Sequence, residues 1–287
     1  MLAHAKRFIA DLEFLARERH PDGSPEALRN TAQYLAERFS ALGLAISSHQ
    51  FPRAGTMYRN VIATTPDDLG LAKPPLVLAA HYDTVVGSPG ADDNASALAV
   101  LLDVADQLTG RTLSRPVQFI AFCLEEENLL GSRAYAAHLK ASGQSIQAAV
   151  VLECVGYASH EAGTQAIPPG VPVPVPTTGN FLAVIGNEPS HKLTAALERA
   201  MSPHLPIVPL IVPGHGEALP DTRRSDHTAF WEAGFPAVML TDTANFRNPH
   251  YHLPSDTVDT LNRDFMAAVA EGVLAAVLVL TGGQDCL

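Results

Sequence analysis

The chain has 287 residues, of which 47% are hydrophobic and 17% charged, so it is long and apolar enough to bury a large core. Its 19 basic and 30 acidic side chains give a net charge of −11, which excludes nucleic acid and membranes as expected partners. The composition lies outside the disordered, fibrous and disulfide-scaffold classes, and no linker-like stretch divides it, so we expect one domain over residues 1–287.

Two helices are predicted at the start of the chain. Apolar residues recur at helical spacing in the segments 8–15 and 28–39, and a turn at 22–25 separates them. Charged residues at positions 6, 7, 11 and 13 interrupt the first segment, whereas a secretory signal needs an unbroken apolar stretch of ~7–15 residues. We therefore predict a cytoplasmic protein without a secretory signal.

Short apolar and β-branched runs predict the strands of a central sheet. They lie at Asn60–Thr64, Leu76–Ala80, Val117–Leu124, Ala148–Leu152, Phe181–Ile185, Ile207–Val212 and Ala237–Leu240. Helical stretches alternate with them, among them Asn94–Leu108 and Ser132–Leu139, and several strands lack the polar alternation of a half-exposed sheet. We predict an α/β fold, a three-layer sandwich in which helices flank a mostly parallel or mixed central sheet.

Three further stretches complete the predicted organisation. Residues 156–180 are too rich in proline for a helix or a central strand, and residues 213–224 are also irregular, so we expect both loops to form walls of a site. The apolar stretch 265–280 is broken by Glu271 and predicts a buried C-terminal helix. Cys123, Cys154 and Cys286 form no CxxC pair, and the first two lie in apolar runs, which predicts reduced core thiols.

Polar residues follow four of the apolar runs at the point where each predicted strand ends. Ligands of open α/β sheets bind outside the carboxyl ends of the strands, so these side chains are the first candidates for a functional site. Two further carboxylates stand where the helix near position 94 begins. The candidates are His81 and Asp83, Asp92 and Asp93, the glutamates at 125, 126 and 127, Glu153, and His250 and His252.

This set offers imidazole and carboxylate groups without thiolate, which suits Zn²⁺ and also Mn²⁺ or Co²⁺. Two metal ions ~3.5–4 Å apart need a carboxylate that bridges them. An aspartate at a loop–helix junction can turn both oxygens outward, and Asp92 or Asp93 qualifies. The sequence therefore predicts a site for two zinc ions per chain.

Five motifs follow one another between Leu76 and Leu261. They read HYDT, GADDNAS, LEEENLLGSRAY, LECVGY and SDHTAFWEAGFPAVML, and the last runs into NPHYHLPSDT. In this order they resemble the zinc aminopeptidases of peptidase clan MH, which include bacterial leucyl aminopeptidase and glutamate carboxypeptidase. The resemblance implies a zinc-exopeptidase fold and the cleavage of peptide or aminoacyl amide bonds, most simply by an aminopeptidase. The N-terminal helices and the proline-rich stretch match no motif of the family.

The resemblance implies a role for each position that matches a family motif. His81 would be a ligand of one metal, Asp83 would orient its ring, and Glu153 would be the terminal carboxylate of that metal. Aminopeptidases of the family usually have aspartate at the position of Glu153. Alignment on the small residues that follow selects Asp93 over Asp92 as the bridge.

The same resemblance places the glutamate triplet and the histidine pair. The spacing to the following LLGS makes Glu125 the general base and Glu126 a ligand, with the third glutamate solvated or structural. HxPSDT makes His252 the histidine of the second metal, and Tyr251 beside it a hydrogen-bond donor to the tetrahedral intermediate. His250 is then expected to lie in the wall of the site rather than to bind a metal. The mechanism implied is attack by a zinc-activated water whose proton Glu125 passes to the leaving amine.

Other functions stay open at this point. A glutaminyl cyclase resembles the family but binds one zinc ion and has glutamate at the position of Glu153. A deacylase or carboxypeptidase would need a cation for the substrate carboxylate, for which Arg224 is a candidate, and a catalytically silent binding module could keep the same fold. A serine hydrolase is disfavoured because no GxSxG elbow occurs, so we expect Ser225 or Asp226 to cap the helix that follows.

Overall fold

The computed structural model describes residues 2–67 and 69–282. Within these ranges eight strands form one sheet in the order β1-β2-β4-β3-β5-β8-β6-β7. The strands are β1 (Ala45–Arg53), β2 (Thr56–Thr64), β3 (Leu76–His81), β4 (Val117–Phe122), β5 (Ala148–Glu153), β6 (Leu182–Asn187), β7 (Ile207–Val212) and β8 (Ala237–Thr241). The helices are α1 (Leu2–Leu15), α2 (Pro25–Ala41), α3 (Ala97–Leu108), α4 (Leu130–Ser142), α5 (His191–Met201), α6 (His227–Ala233) and α7 (Arg263–Thr281).

The sheet is mixed, with a parallel centre. Strand β3 pairs in parallel with β4 and β5, and β5 pairs in parallel with β8. Strands β1, β2 and β4 are joined by antiparallel pairs, and β6 is antiparallel to β8 but parallel to β7. The carboxyl ends of β3, β4, β5 and β8 therefore lie at one end of the sheet, which is where the candidate site residues follow their strands.

Successive residues of the central strands pack into two different cores, one on each face of the sheet. In β3, Leu76, Leu78 and Ala80 share a core with helices α1, α2, α3, α5 and α7, whereas Val77 and Ala79 share one with α4 and α6. This alternation follows from the pleat, which directs neighbouring side chains to opposite faces. The predicted three-layer α/β fold is confirmed.

Two elements were not predicted from the sequence, and one helix begins later than predicted. Strand β1 is an edge strand whose side chains are mostly exposed, and α5 is an amphipathic helix after β6. The helix predicted over Asn94–Leu108 begins at Ala97, because Asp93 (φ −108°, ψ 84°) and Asn94 (φ −137°, ψ 36°) leave helical geometry. The irregular turn Ala91–Ser96 thus precedes α3.

Helix α7 corresponds to the helix predicted over residues 265–280, and its apolar face joins the core of α3 and α5 through residues such as Met266, Val269 and Val273. In the part of the chain that the structure describes, α7 is the one helix long and apolar enough to cross a membrane, judged by length and composition alone. Half of its most apolar window is buried, and core helices of soluble proteins meet the same criterion. The cytoplasmic location stays a prediction.

The two cysteines predicted to be reduced core thiols, Cys123 and Cys154, are free and buried. Burial raises the pKa of both thiols well above its usual value, so both remain protonated. Cys286 lies outside the described residues.

Candidate metal centre

His81 is the last residue of β3, and its side chain is completely buried. Its Nε2 atom lies 3.1 Å from Oδ1 of Asp93 and 3.5 Å from Oε2 of Glu153, the last residue of the neighbouring strand β5. Candidate ligand atoms of the three residues all lie within 4.8 Å of one another. Two strand ends and the turn before α3 thus present one imidazole and two carboxylates to a common point.

A second group forms on the other side of Asp93. Its Oδ2 atom lies 2.9 Å from Nε2 of His252, and the same nitrogen lies 3.3 Å from Oε2 of Glu126. Asp93, Glu126 and His252 again have ligand atoms within 4.8 Å of one another. Asp93 therefore belongs to two groups of three, with one carboxylate oxygen facing each.

The hydrogen-bonding state of these atoms fits a cation. Nε2 of His81, both carboxylate oxygens of Asp93, Oε1 of Glu126 and Nε2 of His252 are buried, and none makes a hydrogen bond to a described residue. Buried polar side-chain atoms are nearly always hydrogen-bonded, so five such atoms around one point require another partner. The oxygen and imidazole donors match the preference of zinc.

The pKa values of these side chains also indicate a site for a cation. Burial opposes the charged form of His252, yet the carboxylates of Asp93 and Glu126 raise its pKa to about 10, and Glu153 and Glu125 likewise raise the pKa of His81. Burial raises the pKa of Glu126 to about 7. These side chains, with Asp93 and Glu153, form the cluster of the candidate centre. Without a cation, the cluster binds protons at His81, His252 and Glu126, which is how a concentration of buried negative charge responds.

The backbone around Asp93 is fixed by two neighbouring segments. The carboxylate of Asp256 accepts hydrogen bonds from the main-chain N–H groups of Asp92 (2.9 Å) and Asp93 (3.2 Å). The Asn94 side chain donates to the carbonyl of Leu152 and accepts from the N–H of Cys154, which ties the turn to the end of β5.

Asp92 points away from the two groups. Its carboxylate accepts hydrogen bonds from the Asn248 side chain at 2.7 Å and from the N–H of Gly156 at 2.9 Å. The structure thus separates the two aspartates between which the residue pattern alone could not choose, since only Asp93 faces both histidines.

Asp83 contacts the His81 ring mainly through its main chain. Nδ1 of His81 lies 3.2 Å from the Asp83 carbonyl oxygen and 3.6 Å from its carboxylate. The carboxylate instead accepts hydrogen bonds from the N–H groups of Glu125 (3.0 Å) and Glu126 (3.1 Å). Asp83 thereby fastens the glutamate loop after β4 to the end of β3.

The three consecutive glutamates have different surroundings. Glu125 is buried, has a candidate ligand atom within 4.8 Å of those of His81 and Glu126, and has a pKa raised by burial well above its usual value. Glu127 faces the surface and makes an ion pair of 2.9 Å with Arg53. Only the first two glutamates therefore reach the cluster.

Two hydroxyl groups adjoin the cluster. Ser225 donates a hydrogen bond of 2.6 Å to Oε2 of Glu153. The ring of Tyr251 stacks on that of His252 at a centroid distance of 3.8 Å, and its hydroxyl accepts a hydrogen bond from Nη2 of Arg224 at 3.2 Å. His250 contacts Ser255 and Tyr157 instead and belongs to neither group.

The prediction that Ser225 or Asp226 caps helix α6 is wrong. The Asp226 backbone already has helical angles (φ −55°, ψ −24°), and its side chain caps no N–H group. Its carboxylate is completely buried near His81 and Glu153, where burial raises its pKa to about 7. The motif therefore supplies residues that surround the cluster rather than a cap.

Comparison with known proteins decides the family. The sequence model of Peptidase family M28 matches residues 60–277. The chain belongs to peptidase family M28. It is similar to the uncharacterized protein YfbL of Escherichia coli K12, with 33% identity over 282 residues that cover 92% of this chain and 84% of YfbL.

Other M28 relatives include aminopeptidases. Aminopeptidase YwaD of Bacillus subtilis is 28% identical over 233 residues, which cover 75% of this chain and 44% of YwaD. The chain spans about half the length of the curated aminopeptidases it matches. The LapA aminopeptidase of Legionella pneumophila shares the fold, with a TM-score of 0.75 and 20% identity over 96% of this chain and 72% of LapA. A Porphyromonas gingivalis glutaminyl cyclase does so too, with a TM-score of 0.69 and 18% identity over 96% of this chain and 97% of the cyclase.

An apolar cavity of about 140 Å³ adjoins the cluster of this M28 chain, and Glu153 and Tyr251 lie in its wall. Residues of the proline-rich loop 156–180 and of the irregular loop 213–224 line it as well. In the run VPVPVP at 171–176 the three valines face the cavity, whereas the three prolines are exposed. The rest of the wall is mainly apolar and includes Phe181, Ile185, Leu210, Leu219 and Met239.

Proposed function

We propose that this M28 chain is an aminopeptidase with two zinc ions. His81, Asp93 and Glu153 would hold one ion, and Asp93, Glu126 and His252 the other. The observation that carries the proposal is the position of Asp93, whose two carboxylate oxygens lie 3.1 Å and 2.9 Å from the Nε2 atoms of two different histidines. A carboxylate shared in this way is what a two-metal site requires.

Zinc bound there would supply Lewis acidity, which polarises a carbonyl group and lowers the pKa of water. The chain's own residues move the protons. Glu125, held through its N–H by Asp83, accepts the proton of the attacking water and delivers it to the leaving amine. Because Arg224 donates to the hydroxyl oxygen of Tyr251, the hydroxyl proton of Tyr251 stays available for the developing oxyanion.

The cavity beside the cluster supports an apolar N-terminal residue as the preferred substrate side chain. Its valines at 171, 173 and 175 stand on a segment that proline stiffens at every second position, since the proline ring fixes φ. A preformed apolar wall binds an aliphatic or aromatic side chain without a large ordering cost.

An aminoacyl-p-nitroanilide panel tests this function on the zinc-reconstituted protein. We expect leucyl, methionyl and phenylalanyl anilides to be cleaved much faster than aspartyl or lysyl anilides, and Glu125→Gln to remove the turnover. Absence of turnover on the whole panel, with zinc bound, would refute the aminopeptidase assignment.

Arg224 favours a second candidate, a deacylase for substrates that carry a carboxylate. Its guanidinium stands at the cavity, where Asn245 (2.8 Å) and Tyr251 (3.2 Å) hold it in place. Comparison of N-acyl amino acids with aminoacyl anilides separates the two functions, and Arg224→Gln should raise KM for N-acyl amino acids far more than for aminoacyl anilides, because only the former have a carboxylate. A glutaminyl cyclase would instead cyclise N-terminal glutamine peptides and would require one zinc ion.

A further inference from the structure

Arg19 is a completely buried cation in the irregular segment between α1 and α2. No described carboxylate lies within salt-bridge distance of its guanidinium, which instead donates to main-chain carbonyl groups. Burying a charge is costly unless hydrogen bonds satisfy it, so a buried arginine with this contact pattern signals a specific structural task.

The contacts of Arg19 connect both ends of one loop. Nε donates to the carbonyl of Tyr82 at 2.8 Å, Nη1 to that of Pro89 at 3.0 Å, and Nη2 to that of Gly90 at 3.2 Å. The Arg19 N–H also donates to Oγ1 of Thr84 at 2.9 Å. Nη1 bonds further to the carbonyls of Leu15 and Arg17, which fix the guanidinium to the end of α1.

This loop lies between two candidate ligands of the metal centre, His81 and Asp93. Tyr82 directly follows His81, and Gly90 precedes Asp93 by three residues. At Gly90 the backbone has φ +58°, and a Cβ atom there would meet the Asp93 carbonyl oxygen at 2.2 Å and Nη2 of Arg19 at 3.1 Å. The guanidinium, Gly90 and the turn at Asp93 are therefore in close contact, and no space remains for a Cβ atom at position 90.

We propose that Arg19 is a positioning residue of the metal centre. It fastens the loop from Tyr82 to Gly90 at both ends, so that His81 and Asp93 hold their ligand atoms at a common point. The inference rests on the proposed metal-binding function. The match to the M28 family model starts at residue 60, so it assigns nothing to this N-terminal segment.

The chain offers a matched control for loss of N-terminal stability. Arg38 of α2 makes a bidentate ion pair with Asp11 of α1 at 2.7 Å and 2.8 Å, and it has no hydrogen bond to the loop from Tyr82 to Gly90. Arg38→Met therefore weakens the same pair of helices without touching that loop.

The experiment measures zinc affinity by chelator competition, and the visible spectrum with cobalt, for wild type, Arg19→Lys, Arg19→Met and Arg38→Met. We expect Arg19→Met to bind zinc about 10–100-fold more weakly with an altered cobalt spectrum, as for lost supporting contacts of metal ligands. Arg19→Lys, which keeps the charge but loses the planar fork, should recover part of the affinity. Arg38→Met should melt earlier yet bind zinc as wild type does.

Wild-type affinity in both Arg19 variants would overturn the proposal, and so would an equal loss of affinity in Arg38→Met. Should Arg19→Met fail to fold, the Arg19→Lys variant decides alone, through its affinity and its cobalt spectrum. A wild-type chain that binds no zinc would refute the proposed function itself, which distinguishes that failure from failure of the Arg19 inference.

Discussion

The carboxylate of Asp83 accepts a hydrogen bond of 3.0 Å from the main-chain N–H of Glu125. Its second oxygen accepts the next N–H of the same loop at 3.1 Å. Asp83 stands two residues after the end of β3, and Glu125 three residues after the end of β4. One side chain thus sets the distance between the proposed general base and His81.

Replacement of Asp83 tests this connection. In Asp83→Asn the amide NH₂ has to face one of the two N–H groups, so one hydrogen bond becomes a repulsive contact. We expect kcat to fall about 10–100-fold, as for other residues that support metal ligands. Steady-state kinetics together with zinc content measures this, and an unchanged kcat would show that the loop is fixed by other contacts.

Glu125 is the proposed proton carrier. Glu125→Gln keeps the size and shape of the side chain but removes its basicity, so we expect both metal ions to stay bound and kcat to fall about 10²–10⁴-fold. Glu127→Gln is the matched control, because Glu127 faces Arg53 at the surface. Equal activity of the two variants would sink the assignment of the base.

The pKa values predict that zinc displaces protons. In the metal-free protein the pKa of His252 is about 10, so at pH 7 this residue carries a proton that a bound zinc ion must replace. Zinc affinity should therefore rise with pH, and calorimetry in buffers of different ionisation enthalpy should register proton release. Heats that do not depend on the buffer would contradict this.

The same pKa values set the pH dependence of metal-free stability. The pKa values of His252 (about 10) and Glu126 (about 7) lie above their ordinary values of 6.5 and 4.5, so the folded chain binds these protons more tightly than the unfolded chain. Stability is then lost as pH rises, through 4.5–7 for Glu126 and 6.5–10 for His252. We expect the Tm of metal-free protein to fall from pH 5 to pH 9, and the increase in Tm on adding zinc to become larger over the same range. An increase in Tm that is the same at every pH would contradict the prediction.

The valine wall of the cavity makes substrate preference testable. Val173→Asp places a charge where an apolar substrate side chain would lie, so kcat/KM for leucyl anilide should fall at least about tenfold, with less effect on alanyl anilide. Val279→Asp makes the same substitution at an exposed valine of α7 that does not line the cavity, and it should change little. Equal losses for both anilides would place the substrate side chain elsewhere.

Much of the fold could be predicted because the central strands are buried on both faces and read as plain apolar runs. Strand β1 could not, since it is an edge strand whose exposed residues carry no such run and whose place depends on pairing with β2. The predicted start of α3 was wrong because hydrogen bonds from Asn94 to the end of β5 hold the preceding turn out of helical geometry.

Four candidate ligands could be named from the sequence because they end or follow a strand or precede a helix, whereas His252 was found through the HxPSDT motif. Apart from Asp83, the residues that hold them in place could not. Asp256, Ser225 and Arg19 act on the centre through hydrogen bonds to residues at least 63 positions away. Local periodicity carries no trace of such contacts, although the first two stand inside the PSDT and SDH motifs.

The proposed function depends on the sharing of Asp93 by two metal ions. The direct measurement is zinc content per chain by elemental analysis, after removal of all metal with a chelator and reconstitution with zinc. We expect two zinc ions per chain in the wild type. One ion or none would show that Asp93 is not shared.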